Sequence, residues 1–127
     1  MGEDSVHVPG AMWHVTLTLT GPPVSSARLA DSLSQLAEFH PFGLSARYAI
    51  DVIELRYWDE GHDCRTVTDN AIEMWNKNRD EVRLPDWPIV GVEVLDRATF
   101  RRRWPNGSDR LDLLKPGVRP FLQPGHD

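Results

Sequence analysis

The chain has 127 residues, 14 Lys and Arg against 19 Asp and Glu for a net charge of −5, 40% hydrophobic residues and one cysteine. That is one domain's worth of chain, able to bury roughly two thirds of its unfolded surface without a disulfide or metal staple. The lone Cys64 excludes an internal disulfide framework, no run nears the ~18 apolar residues of a membrane span, and the acidic balance argues against nucleic acid as main partner.

Residues 1–11 carry Glu3 and Asp4 and no apolar run, which reads as a flexible leading segment without a secretory signal and points to a cytoplasmic protein. In the stretch Trp13 to Thr20, Trp13, Val15, Leu17 and Leu19 alternate with His14, Thr16, Thr18 and Thr20. A period of two makes a strand with one buried and one polar face. Gly21-Pro22-Pro23 ends it, since proline cannot donate to a sheet ladder. Ser25 or Ser26 then caps a helix to about Glu38, with Leu29, Leu33 and Leu36 forming its apolar stripe. His40-Pro41-Phe42-Gly43 stops it.

Leu44, Ala46 and Tyr48, then Ile53, Leu55 and Tyr57, alternate with polar residues on either side of a turn near Ala49 to Asp51. The pair reads as a hairpin. A second helix fits from Asp63 or Thr66 to Arg79, burying Ala71, Met74 and Trp75. Leu84 to Pro88 is an extended linker, and Ile89 to Leu95 a last strand with Val90, Val92 and Val94 on its core side. Asp96 to Trp104 fits a short, arginine-rich helix. Beyond it, residues 105–127 read as an extended or partly disordered tail, docked locally through residues such as Phe121.

The order strand, helix, strand, strand, helix, strand within residues 12–104 predicts an α+β, ferredoxin-like split βαβ sandwich (βαββαβ): four antiparallel strands ordered 4-1-3-2, with two helices on one face. The other face then displays His14, Thr16, Thr18, Ser45, Arg47, Glu54, Arg56, Trp58, Gly91 and Glu93.

Glu54-Leu55-Arg56-Tyr57-Trp58 and the run from Pro88 to Arg97 give Trp13 to Trp104 its resemblance to a group of small actinobacterial proteins of unassigned function. The resemblance carries no catalytic residue. Arginine outnumbers lysine twelve to two, as in GC-rich bacterial coding sequences. Acylphosphatase-like, RNA-recognition and ACT-type patterns all fail, for want of a phosphate loop, of aromatics on the central strands' open face where His14, Thr16, Thr18, Glu54 and Arg56 stand, and of a glycine-containing ligand turn.

The polar face therefore carries the functional expectations. His14, Arg47, Glu54, Arg56 and Glu93, with Thr16, Thr18 and Trp58, form either a ligand or homodimer surface, or cross-strand ion pairs on a solvated face. The first reading is a non-enzymatic module, dimeric through this face, binding a small ligand or a protein partner. The alternative is a cofactor-independent enzyme, built like dimeric α/β-barrel proteins, with His14 as general base in an enclosed cavity. No cofactor is implied. His62-Asp63-Cys64 lacks convergent ligands and reads as a helix cap beside a small buried cysteine rather than a metal site.

Overall fold

The alternating segment after Met12 forms the ten-residue strand β1 (Ala11–Thr20), which pairs antiparallel with β3 (Val52–Gly61) on one side and β4 (Ile89–Asp96) on the other. The computed structural model describes residues 10–39, 43–103 and 117–121. Strand β2 (Ser45–Ala49) closes the hairpin with β3 through a two-residue turn at Ile50 and Asp51, setting Ala49 opposite Val52. Between the strands run helices α1 (Ser26–Phe39) and α2 (Cys64–Arg79).

Both helices start where side-chain oxygens meet their open amides. The Ser25 hydroxyl accepts from Arg28 N at 3.3 Å, and the Asp63 carboxylate accepts from Thr66 N at 2.8 Å. Each buries the stripe its spacing defines: Leu29, Leu33 and Leu36 on α1, and Val67, Ala71 and Trp75 on α2. These close over Val15, Leu17, Leu19, Ala46, Ile53, Leu55 and Tyr57, the inward side chains of the sheet, to make the core. Gly43, with φ 74°, sits in the left-handed region at the turn into β2.

The four-stranded antiparallel, two-helix sandwich expected from sequence is overturned. The sheet is mixed and has five strands, ordered β4-β1-β3-β2-β5, because β5 (Gly117–Pro120) adds parallel to β2, with Val118 opposite Ala46. A third helix, α3 (Arg97–Arg103), follows β4 and crosses the face that α1 and α2 leave. The tail supplies a strand because Val118 packs against the core and the backbone amides of Gly117 and Phe121 reach Leu44 O and Tyr48 O at 3.0 and 2.9 Å. Pairing of this kind is non-local and leaves little trace in so short a segment.

Two further expectations shift. The β1–β4 register slips between Thr18 and Leu19, leaving Val90 as an extra residue that is 57% exposed, and Val92 on this edge strand is also exposed. Instead of an extended linker lying free, Leu84 and Trp87 are buried in the core. Trp87 packs so tightly on Gly21 that a Cβ there would lie 2.1 Å from its ring. Cys64, expected to be buried, is exposed. Expectations for residues 1–9, for His40 to Phe42, for 104–116 and for 122–127 lie outside the described residues.

Candidate binding face

Alternation along β1 sends Val15, Leu17 and Leu19 under α1 and α2, so His14, Thr16 and Thr18 look to the opposite side. The register then fixes their neighbours. His14 stands opposite Trp58, Thr16 between Arg56 and Glu93, and Thr18 between Glu54 and Gly91. On the far strand Ser45 lies opposite Arg56 and Arg47 opposite Glu54. The residues expected on this face therefore share it, in a band across four strands.

The band is not uniformly open. Helix α3 lowers Phe100 onto His14, ring centroids 4.4 Å apart, while Trp58 meets the imidazole edge-on at 5.1 Å and Phe100 at 4.9 Å. His14 is only 2% exposed, and its Nδ1 has no hydrogen-bond partner among the described residues. Desolvation drives its pKa from 6.5 down to about 4; the Arg56 charge pushes the same way and Glu54 opposes both. The imidazole is thus neutral at pH 7 and shut beneath aromatic rings. General-base chemistry at His14 would require Phe100 or Trp58 to move aside, because the rings cover the imidazole.

Charge is concentrated one residue further along. Glu54 Oε1 accepts from Arg47 Nε and Nη2 at 3.1 and 3.0 Å and from Arg56 Nε at 3.1 Å, and Oε2 accepts from Arg56 Nη2 at 3.4 Å. The Glu54 and Arg56 side chains are each 14% exposed. Burial pushes the Glu54 carboxyl up, but the Arg56 hydrogen bond and the charges of Arg56 and Arg47 outweigh it and hold the group below its ordinary value. Arg47 also stacks on Phe121, 4.6 Å from the ring centre.

Between β4 and β3 the face sinks into a depression of about 300 Å³ lined by Thr16, Thr18, Glu54, Arg56, Gly91 and Glu93. The Thr16 hydroxyl, on a residue 8% exposed, has no partner among the described residues. Glu93 forms the outer wall and accepts from Arg103 Nη1 at 2.9 Å. Arg47, Arg56 and Arg103 thus pair with Glu54 and Glu93 across this part of the face, and the depression itself is lined by one of these guanidiniums, Arg56, and by both carboxylates. Among the described residues no three His, Cys, Asp or Glu side chains gather as a metal site.

Sequence reasoning missed Phe100 altogether, and it placed neither Arg103, read as part of an arginine-rich helix, nor Phe121, read as a docking residue of the tail, on this face. Phe100 is the only large apolar residue among Arg97 to Arg103, and that contrast is the signal that could have marked it as a buried anchor.

The fold and face define a small α+β domain with a mixed five-stranded sheet and a polar face partly lidded by a short helix. Residues 12–111 match the family described as a domain of unknown function, DUF8830, and the chain belongs to that family. No curated protein and no solved structure matches it. Among the described residues no helix is long and apolar enough to cross a membrane.

Proposed function

We propose that the domain is a binding module whose face takes a small polar ligand through one anionic group, a carboxylate or a phosphate, seated against Arg56 and Thr16. The observation that carries this reading is one carboxylate, Glu54, shared by two guanidiniums beside a buried threonine hydroxyl with no partner among the described residues. A buried hydroxyl left unmatched costs ~1–3 kcal/mol, and an incoming anion oxygen recovers it while taking a charge-assisted bond from Arg56. Gly91 supports the same reading, because its missing side chain is what keeps the depression open beside Thr18.

Gly91 also provides the test. A Cβ there would meet Thr18 Cβ at 3.6 Å, an ordinary contact, so Gly91→Val fills the depression without touching a charge. Calorimetric titration with inorganic phosphate and with succinate should give saturable binding to the wild type, weakened at least ~10-fold in Gly91→Val and in Arg56→Gln. Equal binding by all three proteins, or none to the wild type, overturns the reading. Light scattering on the same samples reads whether the face also joins two copies of the chain.

A further inference from the structure

The end of the face beyond Phe100 holds a second cleft, separate from the depression above, of about 440 Å³ and lined by Met12, Trp58, Phe100, Arg97 and Arg101. We propose that it is a binding site for a flat aromatic molecule bearing one anionic group, with the ring against Trp58 and the anion held between Arg97 and Arg101.

The two arginines are the first ground. They stand four residues apart on α3 and both line the cleft. Like charges at that spacing oppose the helix that carries them. Elsewhere on this seven-residue helix the charge is matched or bonded: Arg103 pairs with Glu93 and Arg102 donates to Thr99 Oγ1 at 3.4 Å. Arg97 and Arg101 have no ion pair among the described residues. Asp96, the adjacent carboxylate, is turned to cap the helix and accepts from Thr99 N at 2.7 Å. An anion between the two guanidiniums would remove their repulsion and receive two forked donors at once.

The wall is the second ground. Trp58 is half-buried, and with Phe100 and Met12 it gives the cleft an apolar lining beside the two arginines. A polar anion alone would leave that lining wet, whereas an aromatic ring covers it, stacks on indole and meets the Met12 thioether. The volume falls at the lower end of the range for small-molecule pockets and suits a single ring system.

The test uses phenyl phosphate and benzoate as the aromatic anions, with cyclohexanecarboxylate and benzamide lacking the ring or the charge. Binding is followed by the indole N–H resonance of Trp58, assigned with Trp58→Phe, and by calorimetry. Both aromatic anions should shift that resonance and bind at least ~10-fold more tightly than either control, and the tighter of the two tells phosphate from carboxylate as the source. The double variant Arg97→Gln/Arg101→Gln, at exposed positions, should lose ~10-fold or more, while Gly91→Val should bind as the wild type does. The proposal falls if cyclohexanecarboxylate matches benzoate, if the double variant binds unchanged, or if only a single-stranded oligonucleotide binds. Should the double variant not fold, the ligand series on the wild type decides alone. Because Gly91→Val blocks the other depression, failure of either site shows without the other.

Discussion

Replacing His14 by phenylalanine tests the lid directly. The substitution keeps an aromatic ring between Trp58 and Phe100 and removes the one group there that can take up a proton. In the wild type the imidazole titrates at 6.5 when unfolded and at about 4 when folded, because desolvation and then the Arg56 charge oppose its protonation. Between those pH values the unfolded chain binds more protons, so stability is full above pH 6.5 and falls as pH is lowered towards 4. At ~1.4 kcal/mol per pH unit the gap amounts to ~3 kcal/mol, a large fraction of the stability of a small domain. Glu54, held below its ordinary value, loses its own contribution at lower pH in both proteins and so drops out of the comparison. Urea denaturation of wild type and His14→Phe at a series of pH values from about 7.5 to about 4 should give curves that separate by ~3 kcal/mol, with the variant lacking the steep limb. At neutral pH the variant should be as stable or more so, since it loses an unpartnered nitrogen. Parallel pH profiles, or a His14 resonance titrating near 6.5, would refute the reasoning.

Phe100→Ala should release α3 locally and let the His14 pKa climb back towards 6.5, which an NMR pH titration reads; a value still near 4 would mean the lid does not control it. Gly21→Ala should destabilise by ~1–3 kcal/mol in urea, because Trp87 must leave a position that a Cβ would occupy at 2.1 Å. Val90→Thr, at the exposed bulge, should change stability by less than ~0.5 kcal/mol, whereas Leu17→Ala should lose ~2–5 kcal/mol.

What the sequence disclosed about the face follows from local periodicity. Strict alternation from Trp13 to Thr20 fixes which side His14, Thr16 and Thr18 take, and the hairpin then brings Arg47 across from Glu54 with no further information. Capping by Asp63 and the leucine stripe of α1 are equally local. What stayed hidden depends on contacts between distant segments. Nothing near Val118 specifies that it pairs with Ala46, far earlier in the chain. Val90 belongs to the inward series of its strand by periodicity, and only the slipped pairing at Thr18 and Leu19 expels it. The polar face reads as open because α3 is seven residues long, and one phenylalanine among arginines gives no stripe. Trp87 lies in a proline-flanked run that looks like solvent-exposed linker until Gly21 is seen to leave room for it.

The buried histidine and the proposed anion site share Arg56, and that connects them energetically. The guanidinium lowers the His14 pKa through space and at the same time grips Glu54 beside Thr16. An anion seated against Arg56 would cancel part of the field that keeps His14 neutral, so its pKa would rise on binding. Linkage makes the effect mutual: whatever the anion does for the proton, the proton does for the anion. Affinity at the Arg56 depression should therefore increase as pH falls through the range in which His14 takes up its proton. His14→Phe should abolish that increase while leaving affinity at neutral pH unchanged, and calorimetric titration with phosphate across the pH series reads both. Salt screening should weaken the coupling little, because His14 and Arg56 are both largely shielded from solvent.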